Sequence, residues 1–363
     1  MNKSSNSDVL PKVEFEDIVS GEGRLNKDIS SKFDSRKGTL FEPENILYGK
    51  LRPYLKNWLF SDFEGVALGD FWVFEATDVS VPSFDYYLIQ SDDYQKVAND
   101  TSGTKMPRSD WKNVSSTDFA IPSKDEQKQI GAFFKQLDDT ITLHQQKITL
   151  LIKLKKAMLE KMFPKKGTVI PEFRFNGFAN AWEQRKFSEL YARSSEKNDG
   201  SIGMDKNITV AIMQFKNDVK VSTTEYLKTY YTFKLGDIAF EGHQSKEFRY
   251  GRFVENDIGN GIVSHIFAVF RPIQEYDLYF WKYAINNEAL MQRILARSTK
   301  ASTMMHDLVT NDFLNETFLV PSVKEQKQIG AFLNKLDNLI TLHQRKLDML
   351  KKLKSACLSE MFI

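Results

Sequence analysis

The chain has 363 residues, enough for two or three domains, and its 41% hydrophobic and 27% charged residues are typical of a folded protein rather than a disordered one. No apolar run approaches the roughly 18 residues of a membrane helix and the polar start is no signal peptide, so we expect a cytoplasmic protein without a membrane partner. Cys357 is the only cysteine, which excludes internal disulfides and cysteine-rich zinc sites, and a net charge of +2 means that local patches must bind any polyanion.

Residues 1–121 are predicted to form a first domain of mixed α/β class. The run GVALGDFWVF at residues 65–74 has the β-branched and aromatic content of strands. Basic, aromatic and small polar side chains gather in two further stretches, residues 50–58 (KLRPYLKNW) and residues 101–108 (TSGTKMPR).

Residues 122–163 are predicted to form one long helix. Ser123 and Glu126 match a capping box directly after a proline, in which each side chain bonds the backbone N–H of the other residue. Apolar residues then recur at spacings of three, four and seven, which places them along one stripe of the helix. About 40 residues at 1.5 Å each give a rod about 60 Å long, more than one compact domain of this size can cover.

Residues 164–320 are predicted to form a second mixed α/β domain. Strand character is evident at residues 207–213 and 262–270, and a helix is predicted within residues 279–297. Basic and small polar residues cluster again, at residues 244–252 (QSKEFRYGR) and 297–303 (RSTKAST).

Residues 321–363 repeat the first long helix, with a second capping pattern at Ser322 and Glu325. The segments 122–163 and 321–362 align without a gap at a constant offset of 199 residues, with about 26 identities in 42 positions. Near-identical helices alternate with divergent domains, so we expect the helices to do one task twice and the domains to do related but different tasks. The lysines in the distal part of each helix suit a solvated face best, and contact with DNA or a partner protein stays open.

We expect the two helices to pair antiparallel, because each apolar stripe needs a partner and the chain supplies an equivalent one. His144 and His343 lie on this seam, where a polar residue often sets the register. Metal ligation is the less favoured reading, since no further histidine or cysteine stands at ligand spacing. The residues assigned to helix pairing and register are Ile130, Leu137, His144, Leu151, Ile329, Leu336, His343 and Leu350.

Motifs of the enzymes that act on nucleotides or DNA are missing. The sequence has no phosphate-binding GxxxxGK[ST] loop and neither the glycine loop nor the [ND]PP-aromatic motif of a base methyltransferase. Asp237 and Glu241 approach a metal-nuclease pattern but lack its lysine. We therefore predict a non-catalytic chain that itself binds no cofactor and no metal, although a dispersed Ser/His/Asp set leaves no pattern in a sequence.

Binding is the remaining function, and the basic clusters favour DNA. Lysine and arginine neutralise phosphates, and Arg, Lys, Asn and Gln can read base edges. Any one cluster is as well explained as a solvated loop, but their recurrence in both halves favours the DNA interpretation. The candidate DNA-binding residues are Lys50, Arg52, Lys56, Lys105, Arg108, Lys246, Arg249, Arg252, Arg297 and Lys300.

Several motifs carry a resemblance to a known family. The pattern EQxxIGxFxxLD stands at residues 126–138 and again at 325–337, and each copy is entered from a proline. Further matching stretches are PEFRF at 171–175, AWEQRK at 181–186, GDIAF at 236–240 and KLRPY at 50–54. Over essentially its full length, the chain resembles the specificity (S) subunit of a type I restriction-modification system.

This resemblance implies a fold and a set of partners. Residues 1–121 and 164–320 would be target recognition domains, each reading one half of a split asymmetric site on double-stranded DNA. The helices at 122–163 and 321–363 would form an antiparallel coiled coil with pseudo-two-fold symmetry, acting as spacer and as platform for two modification subunits. Those subunits would carry S-adenosylmethionine and methylate adenine, and restriction subunits would join to translocate and cleave DNA.

Two other functions stay open from the sequence. One is the recognition subunit of a related type II system with a separate cutting chain. The other is a stand-alone DNA-binding regulator or coiled-coil scaffold without a methylase partner. Copurification with a modification subunit would separate the second from a specificity subunit.

Overall fold

The computed structural model describes residues 4–32, 35–101, 105–216, 223–302 and 305–362. The chain divides into two compact units. The first unit contains residues 1–147 and 343–363, and the second contains residues 148–342. Each unit therefore contains a globular segment and part of each long helix.

The first unit combines short strands with three short helices and the start of the first long helix. Its strands are β1 (Ser4–Ser5), β2 (Lys12–Val13), β3 (Ile18–Val19), β4 (Arg24–Leu25), β5 (Gly38–Phe41), β6 (Ile46–Gly49), β7 (Trp58–Phe60), β8 (Gly65–Ala67) and β9 (Phe71–Phe74). Its helices are α1 (Pro82–Leu88), α2 (Asp92–Ala98), α3 (Trp111–Ser115) and α4 (Lys124–Lys161), of which the last continues into the second unit.

Two sheets dominate the first unit. One has the order β1-β5-β8-β2, in which β2 and β8 run parallel, and the other is antiparallel with the order β7-β6-β9. The strand run expected at residues 65–74 is two strands in different sheets, because a turn at Gly69 with φ of 87° separates them. A residue without a Cβ adopts that conformation at little cost.

Strand β6 lies at the centre of its sheet and contributes side chains to two apolar clusters. Successive side chains of a strand point to opposite faces. Leu47 packs with Phe41 and Phe71 in a cluster formed by strands. Ile46 and Tyr48, on the other face, pack in a cluster that holds α1, α2 and parts of both long helices.

The second unit has the same mixture of elements. Its strands are β10 (Glu183–Lys186), β11 (Tyr191–Ser194), β12 (Ile208–Thr209), β13 (Gln214–Phe215), β14 (Tyr231–Phe233), β15 (Ile238–Glu241), β16 (Arg252–Glu255), β17 (Gly261–Val263), β18 (Ala268–Pro272), β19 (Thr299–Ala301), β20 (His306–Leu308) and β21 (Thr317–Val320). Its helices are α5 (Phe187–Leu190), α6 (Thr224–Leu227), α7 (Leu278–Ile285), α8 (Glu288–Ser298), α9 (Thr310–Asn315) and the first part of α10 (Val323–Met361).

The largest sheet of the second unit is antiparallel, with the order β11-β18-β15-β16. Strand β15 corresponds to β6 of the first unit, because its side chains again divide between two clusters. Ile238 and Phe240 pack with the helices, whereas Ala239 packs in a smaller cluster with Val254 and Val269. Both units are of mixed α/β class, as the sequence predicts.

Three expected elements of the second unit are broken up. The strand expected at residues 207–213 ends after β12, where a 3-10 turn at Val210–Ile212 begins. The run at 262–270 holds the end of β17 and the start of β18. The helix expected at 279–297 is two helices, because the Asn287 side chain caps α8 by accepting a bond from the Ala289 N–H at 3.1 Å.

The capping patterns of the long helices are formed in part. Ser123 Oγ accepts a bond from the Glu126 N–H at 3.4 Å, and Ser322 Oγ accepts one from the Glu325 N–H at 3.3 Å. The expectation that Glu325 returns this bond is wrong, since Arg174 binds both of its carboxylate oxygens, at 2.7 and 2.8 Å. Within the described part of the chain, no helix has the length and apolar character to cross a membrane.

Candidate nucleic-acid interface

In the first unit, the structure joins the two predicted basic loops. Leu51 and Arg108 form an antiparallel bridge, and the Arg52 N–H donates a hydrogen bond of 2.7 Å to the Pro107 carbonyl. Segments more than fifty residues apart in sequence thus form one surface. Residues 102–104 of the second loop lie outside the described residues.

The cations of this surface differ in how they are held. Arg108 Nη2 lies 2.7 Å from Asp70 Oδ2, and Lys50 Nζ lies 3.9 Å from the other oxygen of the same carboxylate. Arg52 and Lys105 are exposed and make no ion pair with any described residue. Arg52 and Lys105 can therefore bind a phosphate without breaking an ion pair to a described residue.

Lys56 faces a different environment from the other candidates. It is exposed and lines a pocket of about 340 Å³ together with Trp58, Asp138 and Lys351. These neighbours include side chains of both long helices within the first unit. Lys56 belongs to the wall of this pocket as much as to the basic surface.

In the second unit, the structure joins residues directly beside the two predicted basic segments. His243 and Met305 form an antiparallel bridge, and Gln244 Nε2 lies 2.6 Å from His306 Nε2. The segment expected to be a basic loop at 297–303 is the end of α8 and the strand β19 of a hairpin with β20. Its last residue, Thr303, lies outside the part of the chain that the structure describes.

One backbone bond recurs in both units at the end of a central strand. After β6, the Lys50 carbonyl accepts a bond of 2.8 Å from the Ser109 N–H. After β15, the Gly242 carbonyl accepts a bond of 2.8 Å from the His306 N–H. The loops have no sequence in common, yet each unit brings its two loops together at the same point of its fold.

Two candidate arginines of the second unit are bound internally. Arg252 Nε lies 2.8 Å from Glu241 Oε2, and its Nη2 donates a bond of 2.6 Å to the Ala211 carbonyl. Both oxygens of Glu316 bind Arg297, with Nε at 2.7 Å from Oε1, and this bonding raises the pKa of the guanidinium. These contacts stabilise the domain, and a ligand could bind Arg252 or Arg297 only if they were broken.

The remaining cations of the second unit are more available. The Arg249 guanidinium lies 5.5 Å from the centre of the Tyr250 ring. Lys246 is exposed, and Lys300 is exposed on β19 opposite Asp307 in the hairpin. Neither lysine makes an ion pair with the residues that the structure describes.

The glutamine of the repeated motif attaches each long helix to its domain. Gln127 Oε1 accepts a bond of 2.9 Å from the Val81 N–H, just before α1. Gln326 Oε1 accepts a bond of 3.1 Å from the Asp277 N–H, just before α7. In each unit the side chain satisfies a backbone donor at the start of a helix, where no partner exists within the helix.

The glycine of the same motif permits this close approach. A Cβ at Gly131 would lie 2.3 Å from Ser83 Oγ, and one at Gly330 would lie 2.2 Å from Asp277 Oδ1. Contacts under 3.0 Å force the neighbours to shift. The repeated glycine is therefore explained by packing between the long helix and the first residues of α1 or α7.

In the first unit, a tyrosine, an aspartate and a lysine form a network across three helices. The Tyr87 hydroxyl donates a bond of 3.0 Å to Asp138, and Lys354 Nζ lies 2.7 Å from the same carboxylate. Lys354 Nζ also lies 5.3 Å from the centre of the Tyr87 ring. Burial and the charge of Asp138 raise the pKa of Tyr87, so the hydroxyl stays a donor.

The second unit contains the same network. The Tyr283 hydroxyl donates a bond of 2.6 Å to Asp337, and Lys155 Nζ lies 2.6 Å from that carboxylate and 5.1 Å from the ring centre. In the first unit the aspartate is on α4 and the lysine on α10. In the second unit the aspartate is on α10 and the lysine on α4.

The two seam histidines contact each other within the first unit. His144 Nδ1 and His343 Nδ1 lie 2.8 Å apart, so the Nδ1–H of one ring donates a hydrogen bond to Nδ1 of the other. Partial burial, followed by the charge of His343, lowers the pKa of His144. Two protonated rings cannot occupy this geometry, because both facing nitrogens would then be donors.

The other residues assigned to helix pairing differ in burial. Ile130, Leu137, Ile329 and Leu336 are buried, and the first two pack with α1 and α2. Leu151 and Leu350 are half-buried, as are both histidines. The seam thus contributes to the domain cores near the start of each helix.

Comparison with known proteins shows the family of the chain. The family model described as the type I restriction modification DNA specificity domain matches residues 10–153 and, a second time, residues 160–352. The chain belongs to this family.

Relatives in the family are distant in sequence. A curated protein described as the type I restriction enzyme MjaVIII specificity subunit, from Methanocaldococcus jannaschii, is 23% identical over 270 residues. That alignment covers 70% of this chain and 63% of the relative, so the match spans less than two thirds of the relative's length.

Two solved structures share the fold. One is described as the S subunit of a type I restriction-modification system from M. genitalium, with 13% identity, a TM-score of 0.62, and coverage of 100% of this chain and 94% of the other. A second, from work on the assembly and conformational transition of a type I system, has 16% identity, a TM-score of 0.51, and coverage of 98% and 90%. At these identities the likeness concerns the fold alone.

The sequence did not predict the side chains that join each long helix to its domain. Gln127, Asp138 and Lys155 are identical to their counterparts 199 residues later, and that identity was a usable signal. Tyr87 and Tyr283 had no such signal, since they lie in the divergent domains. The contacts between basic loops were also invisible, because they depend on backbone bonds that no residue type requires.

Proposed function

We propose that this chain is the DNA-recognition subunit of a type I restriction-modification complex. Residues 1–121 and 164–320 act as target recognition domains, each reading one half of a bipartite, asymmetric site on double-stranded DNA. Residues 122–163 and 321–363 separate the domains and form the platform for the other subunits. The chain itself performs no catalysis.

One observation carries this proposal: the family model matches the chain twice, and each match contains two predicted basic segments with a backbone bridge within or directly beside them. Exposed cations stand on both surfaces, Arg52 and Lys105 on one and Lys246 and Lys300 on the other. Cations of this kind supply the sequence-independent part of DNA affinity. The different residues around them supply different base contacts, as an asymmetric site requires.

We also propose that the long helices pair as an antiparallel coiled coil with pseudo-two-fold symmetry. The exchange of aspartate and lysine between the two networks supports this, because Asp138 with Lys354 and Lys155 with Asp337 are related by the 199-residue offset. His144 and His343 are equivalent positions that contact each other. A contact between equivalent residues is expected only on a two-fold axis.

The partners follow from the same proposal. Two modification subunits bind the platform, carry S-adenosylmethionine and methylate adenine, and restriction subunits that translocate and cleave DNA join this core. No step of that chemistry is assigned to a residue of this chain. Its residues bind DNA, hold the spacing between half-sites and orient the partners.

Coexpression with the modification subunit of the same system tests the proposal. We expect a stable complex that selects a split motif from a random DNA library and methylates adenine within it. The chain carrying Lys105→Ala, Arg52→Ala, Lys246→Ala and Lys300→Ala should form the same complex with much weaker DNA binding. A chain that binds DNA specifically without a methylase partner would instead be a stand-alone regulator, and a complex that selects no motif would contradict the proposal.

A further inference from the structure

In the second unit, the chain itself covers the start of the long helix. Residues 171–186 supply this cover, and within them Arg174 binds both carboxylate oxygens of Glu325, at 2.7 and 2.8 Å. The Phe175 ring meets the Phe332 ring edge-on, with the ring centres 5.9 Å apart. Glu325 is only 2% exposed as a result. A bidentate pair of this kind is among the strongest contacts that an arginine makes.

The same segment adds a strand and an aromatic anchor. Its last part, β10, pairs antiparallel with β21, the strand that leads into α10, and Val320 at the end of β21 is 7% exposed. Trp182, directly before β10, is 3% exposed and lies edge-on to Phe163 and Phe280, 5.9 Å from each ring centre. An ion pair, a strand pairing and a buried aromatic ring therefore hold the segment on the second unit.

The first unit presents the same helix start without this cover. Residues 126–133 are identical to residues 325–332. Even so, Glu126 is exposed and makes no ion pair with a described residue, and Phe133 is 40% exposed. Ile121, just before the helix, is 41% exposed. Because the side chains of the helix are the same, the difference between the units lies in what covers them.

The backbone beside this helix start is also unpaired. Residues 118–121 correspond to β21 at the 199-residue offset, but they form no strand, and none of their N–H groups donates a hydrogen bond to a described residue. The strand at the position of β10 is β2, since each comes just before the short helical segment that begins at Phe187 or Phe15. Strand β2 pairs in parallel with β8 instead. An unpaired edge of this kind binds an extended peptide segment as an added strand.

A cavity lies beside this edge. It has a volume of about 930 Å³ and is lined by Phe119 and Ala120 of the edge, by α2 and by Phe362. Phe362 stands 199 residues after Phe163, the ring that Trp182 contacts in the second unit. The cavity has room for a large aromatic side chain, and the Phe362 ring gives it an apolar wall.

We propose that this surface, formed by residues 118–121, Glu126, Phe133 and the cavity at Phe362, binds an extended segment of one modification subunit. The segment adds a strand to residues 118–121, places an arginine on the Glu126 carboxylate and inserts an aromatic side chain into the cavity. This inference rests on the proposed function. We assign the segment to a modification subunit because the surface lies at the start of a platform helix. Since residues 171–186 cover the equivalent place in the second unit, only one of the two modification subunits makes this contact.

Photocrosslinking in the complex with the modification subunit tests this inference. A photoreactive benzoylphenylalanine in place of Phe133 should crosslink the chain to the modification subunit. Mass spectrometry should locate the crosslink in a segment that contains an arginine and an aromatic residue. The matched control carries the same group in place of Phe332, which Phe175 contacts, and it should crosslink within the chain.

Removal of single charges separates this contact from an effect on folding. Glu126→Gln keeps a side chain that can cap the helix, so its melting temperature should equal that of the wild type. The yield of the crosslink at position 133 should fall about tenfold, because the charge-assisted bond is lost. Glu325→Gln breaks the pair with Arg174 and should lower the melting temperature without changing that yield. Asp125→Asn, at the exposed neighbouring position, should change neither.

Four results would overturn the inference. They are a crosslink from position 133 to a second copy of this chain, a crosslinked segment without arginine, an unchanged yield in Glu126→Gln, and an intact complex that gives no crosslink at position 133. A complex that fails to assemble or that selects no motif would refute the proposed function instead.

Discussion

Glu255 places a carboxyl group in the core of the second unit. Its side chain is 3% exposed, and neither carboxylate oxygen has a hydrogen-bond partner among the described residues. Burial, followed by the charge of Asp257, raises the pKa of this carboxyl well above 4.5, and Lys282 offsets the rise only in part. Folding therefore favours the neutral form of this carboxyl.

Replacing Glu255 with glutamine should stabilise the protein as the pH rises. Because the folded pKa is raised, the contribution of the Glu255 carboxyl to stability is fully present below pH 4.5 and is lost as the pH rises through the folded pKa. Glu255→Gln has the same shape and no proton to lose, so its melting temperature should fall less toward alkaline pH. Glu183→Gln, at an exposed position, should follow the wild type, and an equal pH dependence in both variants would contradict this account.

The candidate cations should separate into two classes. Alanine at an exposed, unpaired position should lower the slope of log affinity against log salt by about one and leave stability unchanged. Alanine at Arg252 or Arg297 should lower stability, because Glu241 or Glu316 loses its partner. A titration of DNA binding at several salt concentrations, with thermal unfolding beside it, measures both effects. Arg52, Lys105, Lys246 and Lys300 represent the candidates that are exposed and make no ion pair with a described residue.

At the scale of the helices, the histidine pair makes the first unit sensitive to acid. The folded pKa of His144 is below 6.5, so its neutral form stabilises the fold above that pH, and this stability is lost as the pH falls below 6.5. Lys147 and Lys346 add to the repulsion. The variant with glutamine at both 144 and 343 should lose less stability between about pH 7 and pH 5.5. His265→Gln, at an exposed position, should behave as the wild type in the same unfolding experiment, and identical curves for all three proteins would refute the role of the pair.

The two tyrosine networks predict equal effects in the two units. Asp138→Asn and Asp337→Asn each remove the charge that binds a lysine and a tyrosine hydroxyl, and each should cost about 1–3 kcal/mol of unfolding free energy. Asp139→Asn removes an exposed i,i+4 pair with Lys135 and should cost at most about 0.5 kcal/mol. Denaturant unfolding provides the comparison. A cost at Asp138 no larger than that at Asp139 would show that the network adds nothing to stability.

The elements differ in how far their sequences predict them. Both long helices could be predicted because a repeated stripe at helical spacing and a capping serine mark them. The break between α7 and α8 escaped prediction, since the capping role of Asn287 depends on where the next helix begins. Residues 207–213 have strand-forming side chains, yet a 3-10 turn replaces most of the strand. The loop bridges Leu51–Arg108 and His243–Met305 are backbone contacts between distant segments, which no local pattern encodes.

At the scale of the molecule, the same arrangement of elements occurs twice, with different residues in the two units. Each unit has a central strand, a pair of joined loops, a glutamine anchor and a tyrosine network. The glutamine anchors and the tyrosine networks lie in the long helices or contact them, whereas the exposed cations near the bridges differ between the two units. This division supports the proposal that the helices provide a common platform while the loops determine which half-site is read.

Exchange of the second domain tests the central claim most directly. Residues 164–320 are replaced by the corresponding domain of another family member, and the adenine methylation motif is read by methylome sequencing of cells that carry the complete system. The account predicts that one half of the motif changes to that of the donor, while the other half is retained. A change in both halves, or a motif that stays the same, would contradict the claim that each domain reads its own half-site.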